Sequence, residues 1–133
     1  MSKELHGQFT ISQGAVIENQ RGEVLILKLA GGGWGIPGGH LHANEDWLVG
    51  LKREIFEETG ISDVTVNGIG GVSLWKSNYG VWFRCEVAVH NSAIVLSDEH
   101  TDFAWITSVE DVERYSFCHP AIKDSVLKMF ATK

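Results

Sequence analysis

Residues 39–61 read GHLHANEDWLVGLKREIFEETGI, and the rest of the chain is read outward from them. Asp46 precedes a run of periodic apolar residues and Gly60 follows it. These residue types begin and end helices, so the pattern predicts a helix over 47–58. At about 100° per residue, Leu48, Leu51 and Ile55 share one face, broadening toward Phe56 and Val49, that would pack on a sheet. Glu54, Glu57 and Glu58 fall within an arc of roughly 100° on the neighbouring face. Arg53 stands one turn before Glu57, a spacing suited to an ion pair.

Glu54 and Glu58 are like charges at i,i+4, which costs an isolated helix a few tenths of a kcal/mol. A helix that needs only solubility would intersperse lysines here. Converging carboxylates make sense if a divalent cation sits between them. Magnesium takes hard oxygen ligands, needs one or two carboxylates, and completes its shell with water and substrate phosphate. A cation bridging phosphate oxygens stabilises the charge that builds as a P–O bond breaks, and it can activate the attacking water. Three glutamates on a helix usually do no more than solvate a face. The surrounding pattern argues otherwise, because Gly39, Glu45, Arg53, Glu54, Ile55, Glu57, Glu58, Gly60 and Ile61 stand at one particular spacing.

That spacing resembles the signature of the Nudix hydrolases: Gly, five residues, Glu, seven residues, Arg-Glu, an aliphatic, any residue, Glu-Glu, any residue, Gly, an aliphatic. No position departs from it, and Trp34-Gly35-Ile36-Pro37-Gly38 resembles the family's lead-in. The resemblance implies an α+β fold, an α/β/α sandwich around a mixed sheet, with the signature forming loop–helix–loop. It implies magnesium, for which manganese can substitute, held by Glu57, Glu58 and the Gly38 carbonyl. Glu54 matches a residue that is a ligand or general base in different members. Glu45 and Arg53 match residues that brace loop and helix, with Arg53 orienting Glu57. More weakly, residues 97–106 and 112–130 resemble the nucleoside triphosphatase and GDP-mannose hydrolase branches. By that likeness Glu99 is a candidate ligand and His100 a candidate base. The mannosyl branch, however, has a degenerate signature and attacks sugar carbon, whereas the complete signature here favours attack at phosphorus.

The 133 residues, 44% hydrophobic and 21% charged, fit a single domain spanning 1–133. A net charge of −6 argues against a nucleic-acid polymer as partner, which needs a basic footprint. A mononucleotide stays open, since a bound cation supplies local positive charge. No apolar run approaches the roughly 20 residues of a membrane span, and residues 1–6 show no apolar leader stretch. Cys85 and Cys118 read as isolated, buried or half-buried thiols. The expected compartment is the cytoplasm, and a homodimer, common in similar proteins, is compatible with the reading.

Outside the signature, strands are expected at 8–17 and 24–29, joined as a hairpin through Asn19-Gln20-Arg21-Gly22. Further strands are expected at 63–67, 69–76, 81–90 and 103–106, and a last helix at 120–131 opened by Pro120. Residues 33–38 formally match GxGxxG, but no helix follows, so a dinucleotide site is set aside. His40 and His42 lack further ligands at zinc spacing, which leaves His40 as a candidate substrate contact. Trp34 and Trp75, near glycine-rich or loop-like segments, are candidates to stack on a base. The function that follows is hydrolysis of a nucleoside diphosphate linked to another group, first a nucleoside or deoxynucleoside triphosphate giving monophosphate and pyrophosphate. Two alternatives stay open: a nucleotide sugar such as GDP-mannose or ADP-ribose, and a sensor that binds without turnover.

Overall fold

A computed structural model describes residues 6–88 and 94–131. The chain runs β1 (Thr10–Glu18), β2 (Val24–Leu29), β3 (Trp34–Gly35), β4 (Gly38–His40), α1 (Trp47–Thr59), β5 (Thr65–Trp75), β6 (Asn78–Glu86), β7 (His100–Ile106), α2 (Val109–Val112) and α3 (Pro120–Ala131). The strands form one sheet in the order β3-β2-β1-β6-β5, with β4 added to β1 and β7 to β2. β1 and β6 are parallel from Thr10↔Asn78 to Glu18↔Glu86, while the other pairings are antiparallel. The sheet is therefore mixed, as expected.

The apolar runs of β1 and β2 bury both faces, as a sheet covered on two sides requires. Ala15, Ile17, Leu25 and Leu27 join Leu51 and Ile55 of α1 in one core. Val16, Val24 and Ile26 point the other way and join Ile106, Val112, Val126 and Met129 in a second. Asp46 caps α1 by accepting from the Leu48 and Val49 amides at 3.1 Å, and Gly60, at φ 77°, ends it. Pro120 occupies the first turn of α3, where a missing N–H costs nothing.

Several expectations are corrected. The β1–β2 hairpin exists only at Glu18↔Val24. Beyond it the strands splay, because β4 takes the edge of β1 at residues 12–14 and β7 takes that of β2. The runs at 63–67 and 69–76 are one strand, β5, with register shifts at Val66/Gly68 and Ile69/Gly71. Residues 33–40 carry two short strands, and β7 begins at His100. The strand expected at 81–90 ends at Glu86; residues 89 and 90 lie outside the described ones. On α1 the buried arc is Gly50, Leu51, Ile55, Glu58 and Thr59, which leaves Val49 and Phe56 exposed on the opposite side. Cys85 is buried, but Cys118 is exposed. Among the described residues no helix is long and apolar enough to cross a membrane.

Candidate active site

The loop before α1 folds back on the helix through one arginine. The Glu45 carboxylate accepts from Arg53 Nε at 3.0 Å and from a terminal guanidinium nitrogen at 3.1 Å. It also accepts the His42 amide at 3.2 Å. That amide foremost, then Arg53, holds the Glu45 carboxyl below the usual range against the opposing effect of burial. Gly50 makes room for this, since a Cβ there would lie 2.8 Å from the Glu45 carboxyl carbon. A mid-helix glycine costs about 1 kcal/mol relative to alanine, and here the close approach explains it.

The remaining guanidinium nitrogen meets Glu57 at 3.0 Å and Glu54 at 3.2 Å. The two carboxylates are thus drawn toward a common point. Glu54 lies against the backbone of Gly39, where a Cβ would fall 2.8 Å from its carboxyl oxygen. Gly38 is equally tight, since a Cβ would collide with the Gln13 carbonyl. Glu58 is only 4% exposed and accepts the Gly38 amide at 3.0 Å. Its burial pushes the carboxyl up to about 8; the Gly38 amide opposes this, while Glu54 and Glu99 add to it. Glu57 is the exposed member of the three.

Among the described residues no group of three or more His, Cys, Asp or Glu side chains stands so that it could hold a metal ion. The donor set nevertheless fits a hard cation. Glu58 is a buried carboxylate beside further carboxylates, without a cation of its own, and magnesium needs only one or two carboxylates when water and phosphate complete the shell. Glu99 is exposed, and its charge is felt at Glu58.

His100 is only 8% exposed, its Nδ1 has no hydrogen-bond partner among the described residues, and burial lowers its pKa. Such a ring exchanges protons with solvent poorly, which weighs against the base expected there. His40 is exposed at the end of β4 and pairs with Ser12. Trp34 is partly buried against the second core, edge-on to Tyr115 at 4.9 Å between ring centroids. Trp75 is exposed at the end of β5, edge-on to His119 at 5.4 Å.

A cavity of about 230 Å³ opens beside Gly38 and Gly39, between the sheet and α3. Small residues carve its floor: Ser12, Gly80 and Ser73 are neighbours across β1, β6 and β5. Trp82, Ile36 and Ile122 wall it. The sequence reading missed this cavity and the role of Trp82. The signal was Gly70-Gly71, consecutive glycines inside a strand, a mark of close approach. Trp82 lies over them, and a Cβ on Gly71 would stand 2.5 Å from its indole nitrogen.

A complete glutamate signature on a braced helix, in this mixed sheet and beside a cleft, defines a class of phosphoric anhydride hydrolase. The family model for the NUDIX domain matches residues 8–126, and the chain belongs to the Nudix family. It is a hydrolase of compounds containing a linked nucleoside diphosphate. It is similar to a MutT-like protein of Streptomyces ambofaciens, 32% identical over 108 residues, which are 79% of this chain and 68% of that one. A mouse asymmetrical bis(5'-nucleosyl)-tetraphosphatase is 31% identical over 99 residues, 68% of this chain and 67% of that one. Among solved structures, the MutT protein from Methanosarcina mazei Go1 superposes with a TM-score of 0.73 at 26% identity, covering 97% and 98% of the two chains.

Proposed function

We propose that the protein is a magnesium-dependent pyrophosphohydrolase of nucleoside or deoxynucleoside triphosphates, releasing the monophosphate and pyrophosphate in the cytoplasm. The observation that carries this reading is the cavity beside Gly38 and Gly39, whose backbone abuts Glu58 and Glu54. At about 230 Å³ it is smaller than the roughly 300–1,000 Å³ of ordinary ligand pockets. That size favours one nucleoside over two, with the phosphates extending toward the glutamates.

Glu54, Glu58 and the Gly38 carbonyl would hold magnesium or manganese, with Glu57 reaching it from the same helix and Glu99 from the loop before β7. The cation supplies charge neutralisation on the phosphates and lowers the pKa of water. The chain does the rest. Gly39 keeps the Glu54 carboxylate against the backbone. Arg53 fixes Glu54 and Glu57 relative to each other, and Glu45 fixes Arg53. Water attacks phosphorus, its proton passes to a carboxylate of this helix, and the anhydride oxygen leaves with the departing phosphate group.

The test is a substrate panel with Mg²⁺: nucleoside and deoxynucleoside triphosphates, GDP-mannose, ADP-ribose and a dinucleoside tetraphosphate. Equal release of monophosphate and pyrophosphate from a triphosphate, at the highest kcat/KM, supports the reading. Preference for a sugar or dinucleotide substrate refutes the substrate class. Ligand-dependent stabilisation without turnover of any member would establish a sensor instead.

A further inference from the structure

We propose that the floor of the cavity reads the nucleobase through the Ser12 hydroxyl, held as a hydrogen-bond donor, and selects bases that turn an oxo group toward it over bases that turn an amino group. The inference rests on the reading that this cavity takes the nucleoside, and it names the class of base. Ser12 of β1, Gly80 of β6 and Ser73 of β5 lie in one row across the sheet. Gly80 has no side chain, so the middle of that row is open space flanked by two hydroxyls. A Cβ placed on Gly80 would stand 3.4 Å from Ser73 Oγ and 3.6 Å from Ser12 Oγ. A ligand atom lodged over Gly80 would lie between the same two groups. Trp82 and Ile122 wall the cavity. A flat ring held against these walls turns its edge, not its face, to the floor.

The polarity of the floor is set one row further along. Asn78 precedes Gly80 by two residues on β6, so both belong to the same face of the sheet. Asn78 Nδ2 donates to Ser12 Oγ at 3.0 Å. Asn78 Oδ1 accepts from Thr10 Oγ1 at 2.8 Å. The Thr10 bond occupies the carbonyl end of the amide and keeps its NH₂ end turned to Ser12. A serine hydroxyl has one proton and two lone pairs. Ser12 uses a lone pair on Asn78, and among the described residues no acceptor takes its proton. That proton is left for a ligand.

An oxo oxygen over Gly80 accepts the Ser12 proton and keeps a second lone pair within reach of Ser73. An amino group brings its own protons to the same point and leaves the Ser12 proton unmatched. An unmade hydrogen bond in an enclosed site lowers affinity by a factor of about five or more.

Titration of the full chain with nucleoside monophosphates, followed through its backbone amide resonances, tests this. Inosine against adenosine monophosphate, and uridine against cytidine monophosphate, are pairs that carry an oxo group in one member and an amino group in the other. The oxo member of each pair should bind at least about fivefold more tightly, with the Ser12 and Gly80 amides among those that shift. Ser12→Ala should remove the preference. Asn78→Asp puts an acceptor where the NH₂ donor stood, so the Ser12 proton turns away from the cavity and the preference should reverse. A merely structural role for Asn78 would weaken both members of a pair alike. Equal affinity within the pairs, a preference unchanged in Asn78→Asp, or no shift at Gly80 with any monophosphate would overturn the proposal. A monophosphate carries the nucleoside without the anhydride, so the outcome does not depend on which anhydride the protein cuts. An oxo preference in a protein that spares triphosphates would remove the triphosphate reading alone, and triphosphate hydrolysis without that preference would remove this inference alone.

Discussion

Cation binding should release a proton, and the structure says how strongly pH will control it. In the cation-free protein, burial carries the Glu58 carboxyl from its ordinary 4.5 to about 8. A cation that takes Glu58 as a ligand must displace that proton. The ionised fraction is about 1% at pH 6 and about half at pH 8, so apparent Mg²⁺ affinity should rise on the order of fifty-fold across this interval. Isothermal titration in buffers of differing ionisation enthalpy should count about 0.9 proton released per cation at pH 7.

The stability of the cation-free fold moves in the opposite direction. Between 4.5 and about 8 the native state holds a proton that the unfolded chain has lost. Stability therefore falls as pH rises, by an amount on the order of 4 kcal/mol by pH 8. Glu58→Gln keeps an oxygen for the Gly38 amide, so it should flatten this decline and weaken Mg²⁺ binding together. Binding of Mg²⁺ that is flat between pH 6 and 8 with no proton release would refute the reasoning, because Glu58 would then be no ligand.

Four further outcomes test neighbouring parts of the site. Gly39→Ala places a methyl group 2.8 Å from the Glu54 carboxylate; kcat should fall at least about a hundredfold, with the melting temperature little changed. Arg53→Lys keeps the charge but loses the fork that joins Glu45 to Glu57, and it should cost kcat about tenfold or more. Gly80→Val has room for its Cβ, 3.4 Å from the Ser73 hydroxyl, but its methyls fill the cavity floor, so KM should rise about tenfold with kcat nearly kept. His100→Ala should lower kcat by less than about tenfold, or 1.4 kcal/mol, because the ring is buried; a larger loss in a folded variant would restore it as the proton acceptor.

Much of the fold was legible because its signals are local. Asp46 and Gly60 bracket α1 within one residue of the expected end, and Pro120 opens α3 where it should. The sheet's topology was less legible. Alternation in β1 and β6 reports which residues are buried but not which strands pair, and the parallel β1–β6 contact links residues 68 positions apart, as at Thr10↔Asn78. The near-absent β1–β2 hairpin shows the same thing. Its turn chemistry is present, with Asn19 Oδ1 accepting the Arg21 and Glu23 amides at 3.0 Å. The strands still part, because β4 and β7 offer longer partners further along.

The site divides along the same line. Glu45, Arg53, Glu54 and Glu57 were found together because one helix and its lead-in loop hold them all. The burial of Glu58 could have been read from the same wheel. At 100° per residue Glu58 lies only about 20° from Leu51, which puts it under the helix and not beside it. Grouping it with Glu54 and Glu57 by charge concealed that its position is a core position. The cavity could not be read in this way, since Ser12, Ser73 and Gly80 become neighbours only after β1, β6 and β5 align. Placing an ionisable group in the core is costly unless something else balances it. On α1 the proton retained by Glu58 up to about 8 meets that cost in the cation-free fold, and a cation taking Glu58 as a ligand would have to displace it.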